Sequence, residues 1–269
     1  MDVLKRNNVN VIGKGTQVIM FAHGFGCDQV MWRFITPAFE ADFRLVLFDY
    51  VGCGNSDTAQ YNEDRYGSLQ GYAQDVLEIC DALNLENVIF VGHSVSSMIG
   101  VIASIQQPEL FRSLILVCPS PCYINKPGYT GGFEEKDLKE LMEVMENNYV
   151  GWASFLAPVV MKNTERPELT QELEKSFCSM DKEITGNFAK VTFFSDNRED
   201  LPKVNVPSLI LQCTKDDIAS DKVGDFVHDK LRKSVMYHMK ATGHCPHMSH
   251  PAETIKCIQQ FLQPEDILT

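Results

Sequence analysis

No run of 18 apolar residues occurs anywhere in this chain of 269, so no segment reads as a membrane-spanning helix. There is no Cys-x-x-Cys pair, and the nine cysteines are odd in number. Several lie inside apolar runs, such as Leu114 to Cys118 and Leu209 to Cys213. That pattern argues against a disulfide framework and predicts buried free thiols in a reducing compartment. The first ten residues are charged and polar, with nothing resembling a signal peptide, and a cytoplasmic location is expected. Basic excess is also lacking. A formal net charge of −12 repels phosphate backbones and anionic lipid, so neither nucleic acid nor a membrane surface is an expected partner. Internal repeats and low-complexity segments are missing as well.

What is present suits a soluble globular chain: 44% hydrophobic and 22% charged residues, enough for one α/β domain with an insertion. Short runs rich in Val, Ile and Leu read as strands at 18–22, 44–48, 88–91, 114–117, 208–212 and 235–239. Helices are expected over 31–39, 69–83, 95–106, 221–231 and 252–262. In the second of these, Tyr72, Ala73, Val76, Leu77, Ile79, Cys80 and Leu83 keep the 3.6-residue period. Strands alternating with helices predict a mainly parallel sheet flanked by helices. Residues 123–195 break the alternation, with helical patterns at 133–147, 149–161, 168–176 and 182–194 and no convincing strand. Rich in Phe, Trp and Met, this stretch is expected to be a four-helix lid over an apolar pocket, inserted into a core made of 1–122 and 196–269.

The sharpest chemical signal is Val88-Ile89-Phe90-Val91-Gly92-His93-Ser94-Val95-Ser96. A serine at a tight strand-to-helix turn is held in a strained conformation with its hydroxyl above the sheet, at a helix N-terminus suited to a developing oxyanion. Ser96 stands where Gly-x-Ser-x-Gly has its closing glycine. His244, in Ala241-Thr242-Gly243-His244 after the last strand, is the expected base. The acid should follow strand 208–212; Asp216 is preferred because it opens the segment leading to the next helix, and Asp217 is the alternative. The spacing His244-x-x-His247-x-x-His250 invites a metal reading, but Pro246 argues against a regular helix there and no carboxylate lies among them, so no metal and no cofactor is expected. Oxyanion donors are expected from the N–H groups of Val95 and of Phe25, the latter in His23-Gly24-Phe25-Gly26, where His23 orders the loop.

Several segments together resemble the RsbQ family of bacterial stress-response regulators, to which the plant strigolactone and karrikin receptors are similar. They include His23-Gly24-Phe25-Gly26-Cys27-Asp28-Gln29, Gly92-His93-Ser94-Val95, Ser120-Pro121-Cys122-Tyr123, Gly131-Gly132-Phe133-Glu134 and Gly243-His244-Cys245-Pro246-His247-Met248-Ser249. The resemblance spans nearly the whole chain. It implies an α/β-hydrolase fold, a triad of Ser94, Asp216 and His244, and donors at Phe25 and Val95. A closed apolar pocket under a helical cap is implied too, with Trp152 and Phe193 on its wall; Phe25, Tyr123, Phe133 and Leu156 complete the expected lining. The implied partners are a small hydrophobic ligand and a PAS-domain protein phosphatase. The expected function is slow hydrolysis of a small ester or lactone in the service of stress signalling. A metabolic carboxylesterase or lactonase, and a ligand receptor with vestigial catalysis, are the alternatives.

Overall fold

The computed structural model describes residues 2–263. Seven strands, β1 (Asn10–Ile12), β2 (Gln17–Ala22), β3 (Phe43–Leu47), β4 (Val88–His93), β5 (Phe111–Val117), β6 (Ser208–Thr214) and β7 (Ser234–Thr242), form one sheet in the order β1-β3-β2-β4-β5-β6-β7. β1 is antiparallel to β3, and all the other pairings are parallel. All six expected strands are present. β1 was invisible to pattern because all three of its residues are exposed at the sheet edge.

Alternate side chains of the central strands feed two cores. Ile19 and Phe21 of β2 and Ile89 and Val91 of β4 enter one, while Val18, Met20, Val88 and Phe90 enter the other. Both faces are therefore covered, as the continuous apolar runs require. The helices are α1 (Val3–Arg6), α2 (Glu63–Tyr66), α3 (Leu69–Ala82), α4 (Val95–Gln106), α5 (Glu135–Asn147), α6 (Tyr149–Met161), α7 (Pro167–Ser179), α8 (Lys182–Phe193), α9 (Asp221–Lys230), α10 (Pro246–Ser249) and α11 (Pro251–Leu262).

Two local expectations need correction. Residues 31–39 do not form a helix; two 3-10 segments, Gln29–Trp32 and Thr36–Ala38, take their place. Pro37 lacks an N–H and would clash with the preceding turn, so an α-helix cannot run through it. Conversely, Pro246 begins the single helical turn α10, because the first position of a helix needs no N–H from it.

α5–α8 form a helical insertion between β5 and β6. Its neck closes through an antiparallel bridge between Cys122 and Asp196, beside a 2.7 Å bond from Asn197 N–H to the Pro121 carbonyl. Leu138, Met142 and Met145 of α5, Leu156 of α6 and Leu173 and Phe177 of α7 all turn inward onto one core. Phe155 faces outward. All nine cysteines are free; eight are buried and Cys178 is exposed. Among the described residues no helix is long and apolar enough to cross a membrane.

The polar N-terminal stretch has an unexpected structural use. Arg6 is buried and pairs with Asp75 at 2.9 Å and Glu78 at 2.7 Å, while Arg65 reaches the same two carboxylates. Tyr66 Oη and Asn7 Nδ2 donate to Asp75 as well. Removing one member leaves a desolvated charge short of a partner. Arg6→Leu is therefore expected to lower unfolding free energy by about 3 kcal/mol. Urea denaturation reads this, and a loss below about 1 kcal/mol would show that the network contributes no more than a surface pair.

Candidate active site

Ser94 sits between β4 and α4 with φ 56° and ψ −121°, in the left-handed half of backbone space that a serine enters only when its surroundings impose it. Parallel pairing of β4 with β2 and β5 and the immediate start of α4 supply that constraint. Ser96, in the place of a glycine, is accommodated because its hydroxyl finds partners. It donates to the His23 carbonyl and lies 2.9 Å from Tyr50 Oη.

His244 follows β7 in a loop that Gly243 allows. The φ of Gly243 is +79°, and a Cβ there would lie 2.3 Å from the Met161 carbonyl oxygen. Its imidazole spans two partners: Nε2 is 2.8 Å from Ser94 Oγ and Nδ1 is 2.7 Å from Asp216 Oδ2. Asp216 keeps its other oxygen on the N–H groups of Ile218 and Ala219, at 2.8 and 3.0 Å. A carboxylate can only accept, so Nδ1 carries the proton and Nε2 is free to take one from Ser94. Asp217 points away and pairs with Lys162 at 2.6 Å on the surface. The structure thus brings Ser94, His244 and Asp216 together and leaves Asp217 outside.

Burial by itself would raise Asp216, but His244 and the two backbone donors outweigh it and hold the carboxyl below its ordinary value. For His244, burial opposes the charged imidazolium, yet the adjacent carboxylate overcomes that penalty and lifts the ring above the ordinary imidazole value. Phe25 follows β2, and Val95 is the first residue of α4. Among the described residues neither N–H donates to a protein acceptor, so both remain available to a ligand oxygen.

Above Ser94 lies a narrow, largely apolar cavity. Phe25, Tyr123, Leu156 and Phe193 line it, together with Cys27, Val160, Leu173, Phe177, Thr192, Ile218 and Cys245. Tyr123 Oη is 3.4 Å from Ser94 Oγ, and burial above all pushes this phenol up to about 12, so it stays a neutral donor. Phe133 and Trp152, expected on the wall, are not there. Trp152 is fully buried behind Phe25 and Phe177, at ring-centroid distances of 6.1 and 5.1 Å. Phe133 packs at the margin of the core, its backbone paired with Tyr123 and Asn125. Trp152 thus supports the wall from a second layer.

A family model described as the alpha/beta hydrolase fold matches residues 17–251. The chain belongs to the α/β hydrolase fold family. This α/β hydrolase is 39% identical over 261 residues to karrikin insensitive 2 receptor CA of Petunia hybrida, covering 97% of each chain. It is 36% identical over 262 residues to a strigolactone esterase of Arabidopsis thaliana, covering 97% of its own length and 98% of the relative. A solved hydrolase from Oleispira antarctica superposes with a TM-score of 0.96 at 46% identity, covering 98% of this chain and 97% of that one.

Among the described residues the fold does not gather His244, His247 and His250 around one point. His250 Nδ1 bonds Ser249 Oγ, and His247 is buried against Trp32 and His93. Two other sets, His93 with Cys245 and His247, and Cys118 with Asp216 and His244, hold ligand-type atoms within 4.8 Å of one another. In both sets an imidazole nitrogen is already committed: His93 Nε2 to the His244 carbonyl, and His244 Nδ1 to Asp216. His23 is committed to backbone, with Nδ1 on the Gly24 carbonyl and Nε2 accepting from Tyr50 N–H. Sequence reasoning missed Cys27, Val160, Leu173, Phe177, Thr192, Ile218 and Cys245 on the cavity wall, since nothing in the pattern says which buried side chains reach it.

Proposed function

We propose that this chain is a slow serine hydrolase of a small apolar ester or lactone, serving as a ligand-sensing positive regulator of stress signalling in the manner of RsbQ. The carrying observation is the unbroken line of hydrogen bonds from Asp216 through His244 to Ser94, opening on an apolar cavity. In this reading Ser94 Oγ attacks the substrate carbonyl while its proton passes to His244 Nε2. The N–H groups of Phe25 and Val95 stabilise the oxyanion that forms. Collapse breaks the bond to the leaving oxygen, which recovers the proton from Nε2. Water, deprotonated by the same nitrogen, then releases the acyl group and restores Ser94.

Relatives that carry receptor and esterase names support a small-molecule hydrolase that signals. Residues 123–195 act as the lid and 1–122 with 196–269 as the core, residue 1 and residues 264–269 lying outside the described residues. The partner is a PAS-domain phosphatase, and nine free thiols suit a cytoplasmic setting. Intact-protein mass measurement after treatment with a fluorophosphonate probe tests the chemistry: a single adduct on Ser94 is expected. Folded protein that stays unlabelled would defeat the reading. Turnover on small esters and butenolides is expected well below about 10 per second, the median for enzymes. A value above that favours the metabolic esterase instead.

A further inference from the structure

We infer that His93 is a positioning residue for the hydrolysis proposed above, clamping the loop of the base to the turn of the nucleophile. The inference rests on that reading of the site. His93 ends β4 and is the peptide neighbour of Ser94, yet its side chain reaches across 151 positions of sequence to His244. Its Nε2 lies 2.8 Å from the His244 carbonyl oxygen. A carbonyl only accepts, so Nε2 carries the proton and Nδ1 is bare. Burial first, and then the neighbouring His244, push this imidazole down to about 3, so it remains a neutral donor at working pH.

The contact fixes the carbonyl side of a residue whose N–H side is fixed as well. The N–H of His244 donates to the Val160 carbonyl at 2.8 Å. The base therefore hangs between α6 of the insertion and the residue next to Ser94. The His93 ring itself has no room to drift. It packs 5.0 Å from the His244 ring and 4.5 Å from the His247 ring. Across from it, a Cβ on Gly24 would come within 2.4 Å of Nδ1, so the ring also lies against the loop that carries Phe25. One side chain thus touches the base and the donor loop while sharing a peptide bond with the nucleophile. A displacement of about 1 Å at such a site costs on the order of a hundredfold in rate.

Three variants test the clamp. His93→Gln keeps an N–H donor at about the reach of Nε2, His93→Asn keeps the amide but falls short, and His93→Leu removes the donor. On p-nitrophenyl acetate, Leu and Asn are expected to lose on the order of a hundredfold in kcat with little change in KM, and Gln to recover at least tenfold of it. Rates of Ser94 labelling by a fluorophosphonate should follow the same order, with the melting temperature reported alongside. Equal losses in Gln and Asn, or a Leu or Asn variant within twofold of wild type, overturn the clamp; if Leu does not fold, Gln against Asn still decides. Wild-type protein that neither turns over ester nor takes the probe would overturn the hydrolase reading itself, and the clamp with it.

Discussion

Ser94→Ala is expected to lower ester turnover by about four to six orders of magnitude and to abolish the fluorophosphonate adduct. The loss is this large because, among the described residues, the hydroxyl alone both faces His244 Nε2 at 2.8 Å and opens on the cavity at the helix N-terminus. Removing it leaves the base without a proton to accept and the donors without an oxyanion to hold. Stability should change by less than about 1 kcal/mol, since alanine meets the same φ of 56° that serine already tolerates. Ligand binding should persist. Steady-state kinetics with intact mass measurement decide the matter: turnover within tenfold of wild type would mean that another nucleophile acts.

Asp216→Asn is expected to cost about 10⁴-fold in kcat, through the imidazole tautomer rather than through lost packing. The N–H groups of Ile218 and Ala219 both point at one oxygen of residue 216. An asparagine must leave its carbonyl oxygen there and turn its NH₂ toward His244. That group can only donate, so Nδ1 becomes the acceptor and the proton moves to Nε2, where it blocks transfer from Ser94. A pH effect goes with it. Attack needs Nε2 unprotonated, so the rate falls as pH drops through the His244 pKa. In wild type Asp216 holds that pKa above the ordinary 6.5 or so, which places the acid limb of kcat/KM above that pH. In Asp216→Asn the carboxylate is gone while burial remains, so the limb should move down. Coincident acid limbs in the two proteins would contradict this account.

The sheet was legible because strands covered on both faces need continuous apolar stretches, and residues 18–22, 88–91, 114–117 and 209–211 supply them. β1 was not, since three exposed residues held only by pairing with β3 leave no apolar trace. The elbow at Ser94 was legible for a related reason: an apolar strand ending in Gly92-His93-Ser94 before a helix has few other uses. Choosing between Asp216 and Asp217 needed coordinates, because adjacent carboxylates point to opposite sides and only the fold says which side holds the imidazole. Trp152 and Phe133 show the limit for the cavity. Aromatic content marks an apolar insertion but not which rings reach the wall: Trp152 lies within α6, whereas Phe133 precedes α5. The roles of Arg6 and His93 were not legible, since neither position carries a pattern that assigns it a distant partner.

The amide of His244 is fastened to the Val160 carbonyl, and Lys162 at the end of the same helix holds Asp217, the neighbour of the acid. The roof of the chamber and the machinery of proton transfer are thereby one mechanical piece. Raising α6 to admit something bulky would drag the imidazole out of register with the serine. The molecule therefore carries its own size limit: a guest that forces the roof disarms the chemistry that would have consumed it.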